Sequence, residues 1–223
     1  MDAVLKTKET GAGRRDVKVD IIDAAEVVFA NLGFDGTTTR AIAEEAKVNL
    51  ATIHYYFSSK ENLFELVVAR RAKQVNERRR ELLKEALTKP SEDRLEAIFD
   101  ALMRPTLELG REDQRTANNY GRIVVQIASG ADERSVRLTA ENFDEIALEF
   151  IDVIAAEVPS LGRENAVWAY INAISVGMLM LARTGRVQKL SDGMCNEEAD
   201  DAAVARTIRY LIAGTRALAG TAP

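Results

Sequence analysis

Apolar residues at Ile21, Ile22, Ala25, Val28, Phe29 and Leu32 recur three and four positions apart, the period of an amphipathic helix. Gly33 ends that helix, because a left-handed cap position favours glycine, and Phe34-Asp35-Gly36 reads as a turn. One of Thr37, Thr38 and Thr39 caps a short second helix with an apolar face of Ile42, Ala43 and Ala46. Lys47, Val48 and Asn49 break it. A third short helix, Leu50 to Phe57, turns Ile53 and Phe57 inward. Ser59 caps a long helix from Lys60 to about Leu87 that carries Leu63, Leu66, Val67, Leu82 and Leu83 on related faces. Its many cations, Arg70, Arg71, Lys73, Arg78, Arg79, Arg80 and Lys84, read mostly as a solvated face.

After the break at Lys89-Pro90-Ser91 the pattern predicts further helices over Ser91–Gly110, Gln114–Ser129, Glu133–Glu157, Arg163–Thr184 and Asp200–Ala219. Pro105 should kink or divide the first of these. Ala166 to Ala182 is the most apolar stretch. Interrupted by Asn172, Ser175 and Gly177, it reads as too short and too polar for a membrane span, and as buried on more than one face, against its own domain and a partner. With 13 Gly and 4 Pro in 223 residues, turn residues are too scarce for a sandwich or barrel. The fold class is therefore all-α.

Composition narrows the chemistry. The single cysteine, Cys195, excludes an intrachain disulfide or a cysteine-based zinc site, and the single histidine, His54, excludes a multi-histidine metal site. Cys195 lies in a polar loop with no basic cluster beside it and reads as inert. No phosphate loop, HExxH or GxSxG is present, so neither an enzyme nor a cofactor is expected. The first residues contain no apolar signal region, which predicts a cytoplasmic protein. They form a basic arm over 1–16 with Lys6, Lys8, Arg14 and Arg15. A net charge of −5 disfavours indiscriminate nucleic-acid binding but leaves room for a local site.

Three short helices, with a tight break between the second and third, make a helix-turn-helix pattern. With Ile53 and Phe57 inside, the third helix is left with Asn49, Leu50, Ala51, Thr52, His54, Tyr55 and Tyr56 on its outside and flanks. Hydroxyl and imidazole groups on such a surface suit phosphates and base edges in a major groove. The run TTTRAIAEEAKVNLATIHYYFSSKENLFELV, preceded by IIDAAEVVFANLGFDGTT, resembles the DNA-binding signature of the TetR family of bacterial transcriptional regulators. The likeness covers about the first 70 residues. It implies an all-helical homodimer with a DNA-binding head and a ligand-sensing body. By that resemblance Thr39 and Arg40 contact the operator, Leu50, Ala51 and His54 read base edges, and Thr52, Tyr55, Tyr56 and Lys60 hold phosphates. Lys47 departs from the family, which commonly has glycine in this turn.

The expected organisation is an arm (1–16), a DNA-binding head (17–60), a connecting helix (61–87) and a ligand-binding and dimerisation body (88–223). Met103, Leu107, Tyr120, Val124, Phe143, Ile146, Phe150, Trp168 and Met178 are candidates to line a cavity for an apolar or amphipathic effector, with Arg104 as an anchor for an anionic group. The last two long helices are expected to form the dimer interface, approaching closely at Ala173, Gly177, Ala182, Ala213 and Gly214. The long helix is the only predicted element joining head to body. The functional expectation is a ligand-responsive regulator, a repressor on a near-palindromic operator in double-stranded DNA. The rival is a helical dimerisation or ligand-binding protein that does not bind DNA.

Overall fold

The computed structural model describes residues 16–112, 114–182, 184–195 and 201–220, and within 107–117 only the helical backbone. The basic arm of 1–15 and the side chain of Leu107 lie outside the described residues. The helices are α1 (Val17–Gly36), α2 (Thr39–Ala46), α3 (Leu50–Tyr56), α4 (Lys60–Leu87), α5 (Ser91–Glu112), α6 (Gln114–Ser129), α7 (Glu133–Glu157), α8 (Gly162–Ala182), α9 (Arg186–Leu190) and α10 (Asp201–Ala219). A 3-10 turn at Pro159–Leu161 leads into α8. The described residues contain no strand.

Side-chain caps start the head helices where the sequence offers them. Asp16 accepts from the Lys18 N–H, Thr38 from Ala41, Asn49 from Thr52 and Ser59 from Asn62, each satisfying an otherwise orphaned first-turn donor. Helical backbone resumes briefly after Gly33, whose φ of 69° and ψ of 175° interrupt α1. That conformation is essentially reserved for glycine. α2 ends at Lys47 in the left-handed region, φ 57° and ψ 39°. The departure from glycine therefore leaves the turn intact and strains the lysine.

Two larger clusters hold the molecule together. One gathers Ile21, Phe29, Ile42, Ile53, Phe57, Leu63 and Phe64 from the first four helices, with Ile123 and Ile127 of α6 and Leu138 of α7. The other joins α4, α5, α7, α8 and α10 around Phe99, Leu102, Phe150 and Ile154. The expectation that α4 alone joins head to body is corrected. α6 seats Ile123 and Ile127 in the head core, Arg122 reaches Asn31 of α1, and Arg134 and Arg137 pair with Glu61 and Glu65. Helical periodicity marks a buried face but not its partner, so this packing was not readable from the pattern.

α5 is not divided by Pro105; it continues through it. The longer segment Pro159–Ala182, which adds the 3-10 turn and the start of α8 to the stretch read from the sequence, is long and apolar enough to cross a membrane by length and composition. Its Ala166, Ala169, Tyr170 and Ala173 are buried within the body. Ala173 and Gly177 face inward, so neither belongs to an outer interface: Ala173 is fully buried, and a Cβ on Gly177 would meet the Met103 side chain at 3.2 Å.

Candidate nucleic-acid interface and ligand cavity

α3 is only seven residues long and is held by two inward anchors, Ile53 and Phe57, both almost fully buried. Leu50, Ala51, His54, Tyr55 and Tyr56 are thereby left exposed. Tyr55 is 80 % exposed and packs edge-on against Tyr56, with ring centroids 5.0 Å apart. Core packing is therefore excluded for Tyr55. From Val48 to Ser59 the chain has no carboxylate, while Arg40 and Lys47 stand exposed at either end of α2. The Asn49 carboxamide oxygen accepts from both the Thr52 N–H and the Thr52 hydroxyl. These two side chains lock the start of α3, and the Asn49 amide group remains outside that pair.

Lys60 is placed differently. Its ammonium donates to the Phe34 carbonyl at 2.8 Å and the Thr37 carbonyl at 2.9 Å, and lies 4.2 Å from the Phe34 ring centroid. Arg134 stacks on the same ring at 3.7 Å. The Lys60 charge therefore closes the turn between α1 and α2, binding the Thr37 carbonyl and adding to the Thr37 N–H already on the Phe34 carbonyl.

The cations of α4 are largely engaged rather than solvated. Glu26 of α1, with a side chain 3 % exposed, accepts from Arg70 at 2.9 Å and from Arg71 at 2.8 Å, and Arg70 also pairs with Asp23 at 2.7 Å. Arg80 reaches Glu149 and Glu145 of α7, whose carboxylates raise its pKa. Arg79 is buried. The earlier reading of a solvated face is thus corrected for Arg70, Arg71, Arg79 and Arg80. Their partners lie on other helices and leave no local trace.

Behind the head is a cavity of about 540 Å³, within the usual range for small-molecule sites. Met103, Tyr120, Val124, Phe143 and Met178 line it as expected. Ile146 and Phe150 do not; they are packed in the body core. Trp168 is 54 % exposed on the outside of α8 and is removed from the cavity set. Its indole is large enough to line a pocket, but the phase of α8 turns it outward. Arg104 is likewise corrected. It forms a two-pronged pair with Asp100 at 2.7 and 2.6 Å and a third contact with Asp201, and these carboxylates raise its pKa. It borders a separate, acidic depression with Asp93, Glu96 and Asp100.

The sequence reading missed Arg79 as a lining residue. A signal existed: the stripe Ala72, Val75, Arg79, Leu83 and Ala86 sits at helical spacing on the buried side of α4. Burial pushes the Tyr120 phenol up to about 12 and raises Tyr170, while the nearby Arg79 charge pulls both the other way. Among the described residues no group of His, Cys, Asp and Glu could hold a metal ion, and Cys195 is a free, exposed thiol.

Residues 21–67 match the family of bacterial regulatory proteins named for TetR, and residues 100–214 match the tetracyclin repressor-like C-terminal domain. The chain belongs to the TetR family. It is 26 % identical over 150 residues to IcaR, a negative transcriptional regulator of a biofilm operon in Staphylococcus aureus, covering 61 % of this chain and 81 % of IcaR. A TetR-like regulator from Rhodococcus sp. RHA1 has the same fold, with a TM-score of 0.64 and 18 % identity over 95 % of this chain and all of that one. So does Bacillus subtilis FadR, solved with stearoyl-CoA, at a TM-score of 0.59 and 17 % identity, covering 88 % and 98 %. The TetR-family chain is a DNA-binding transcriptional regulator with a helical C-terminal ligand-binding domain.

Proposed function

We propose that this regulator is a repressor that binds a near-palindromic operator as a homodimer and releases it when a small molecule enters the body cavity. The carboxylate-free outer face of α3 carries the reading. Leu50 and Ala51 suit thymine methyl groups, His54 and Arg40 suit base-edge hydrogen bonds, and Thr39, Asn49, Thr52, Tyr55 and Tyr56 suit phosphates. Lys60 acts on this surface indirectly, by fixing the turn in front of α2. IcaR is named a negative regulator, which favours repression over activation.

A dimer is required because helix-turn-helix readers present two recognition helices about 34–36 Å apart, one DNA turn. Trp168 and Leu179 of α8 and Tyr210 of α10, two helices that pack together, are exposed and would be covered by a second copy, with Ala213 and Gly214 allowing close approach. These residues replace the inward Ala173 and Gly177. The apolar cavity supports an apolar or amphipathic effector, and FadR was solved with an acyl-CoA. DNA selected by the purified protein, followed by gel shift with His54→Ala and Tyr55→Ala, tests the reading. The His54 change should cost about 1–3 kcal/mol and relax sequence preference, while the Tyr55 change should weaken all sequences alike. Unchanged binding by both variants would refute the assignment of α3.

A further inference from the structure

Arg79 lies on α4 with only 8 % of its surface exposed, yet it lines the cavity. Its Nε donates to the Leu102 carbonyl at 3.0 Å, and its two terminal nitrogens make long contacts, both 3.4 Å, with the Asn76 carboxamide oxygen and the Thr106 hydroxyl. A guanidinium has five N–H donors and a permanent charge. Three donors are used, all on neutral acceptors. Among the described residues no carboxylate pairs with it. Asp144, the one carboxylate among the described residues that line the cavity, is itself exposed to solvent. A buried cation without a counter-ion is costly, and the other arginine cluster of α4 is neutralised by Glu26 together with Asp23.

The surroundings of Arg79 favour an anion over any other guest. Tyr120 and Tyr170 border the same cavity, and both phenols stay protonated at neutral pH, so each can donate a hydrogen bond. Most of the remaining described lining is apolar, with Met103, Val124, Phe143, Ile174 and Met178 among it, which suits a hydrocarbon tail.

We propose that Arg79 anchors the head group of an amphipathic anion, an apolar tail ending in a carboxylate or phosphate, and that this is the ligand class of the cavity. The inference rests on the cavity being the effector site. It assigns to Arg79 the role that the sequence suggested for Arg104.

The test is calorimetric titration of the full-length protein with decanoate and decyl phosphate, each compared with a neutral counterpart, methyl decanoate and decanol. At least one anion should bind about ten-fold or more tighter than its neutral counterpart, as expected for a buried charge-assisted contact, and the two arms distinguish carboxylate from phosphate. Arg79→Gln should abolish that preference and leave the neutral affinities within about two-fold, whereas Arg79→Lys should retain part of it. The anion–neutral comparison in the unmodified protein needs no variant to fold. Equal affinity of anions and neutral molecules would overturn the proposal but leave the cavity as a ligand site. An undiminished anion preference in folded Arg79→Gln would also overturn it. Binding of neither class would remove the cavity reading itself, and the proposal with it.

Discussion

Two arginine sites lie nine positions apart on α4. At the head end, the half-buried Arg70 and Arg71 converge on the buried Glu26. At the body end, Arg79 is more deeply buried and lines a cavity, and among the described residues its own hydrogen-bond acceptors are all neutral. The same side chain on the same helix thus serves as a clamp in one place and leaves an unmet charge in the other. The presence of a carboxylate decides which. A clamp stabilises the protein as it stands, whereas an unmet charge becomes favourable only when something else arrives.

The largest effect that would break this contrast is at Glu26. Glu26→Ala removes the buried carboxylate shared by two partly exposed arginines, of which Arg70 keeps Asp23, and should cost about 2–3 kcal/mol in chemical denaturation. Arg79→Met should cost less, at most about 1–2 kcal/mol, because the charge it removes has no ionic partner to abandon among the described residues. Equal losses in the two variants would show that Arg79 is as structural as the clamp. Tyr120 sharpens the picture on the alkaline side. The folded phenol is raised to about 12 from the ordinary 10, so the folded state holds a proton that the unfolded chain has lost. Stability should therefore fall as pH rises from about 10 to 12, and Tyr120→Phe should remove that part of the decline in thermal midpoints measured across the range. The smallest effect is expected far from both arginines. Lys47→Gly relieves a left-handed lysine and should stabilise by up to about 1 kcal/mol without altering ligand affinity.

These contrasts follow the boundary between what was legible in the sequence and what was not. The cap at Ser59, a cap from one of the three threonines (Thr38), the inward pair Ile53 and Phe57, and the bounds of α4, α6 and α7 all follow from short-range rules and stand as expected, whereas Asn49, read only as a break, also caps α3. The outer face of α3 was legible for the same reason, since a seven-residue helix with two anchors has little else to show. The cavity was less so. Trp168 and Arg104 had the right chemistry but the wrong phase or a hidden partner, Asp100. Arg79 was concealed in a run of three arginines, where charge suggested solvent although helical phase put it with Val75 and Leu83. The short α9 and the 3-10 turn before α8 had too little periodicity to register.

The two-sided character of α6 bears on how portable the head is. Ile123 and Ile127 complete the head core, while Tyr120 and Val124 of the same helix border the cavity. A fragment cut after α4 would lose part of its own interior, and a chimera joining this head to a foreign body would have to bring a matching helix with it. Head and body therefore should melt in one transition, and an exchange of recognition surfaces between regulators is better made by grafting the outer face of α3 alone.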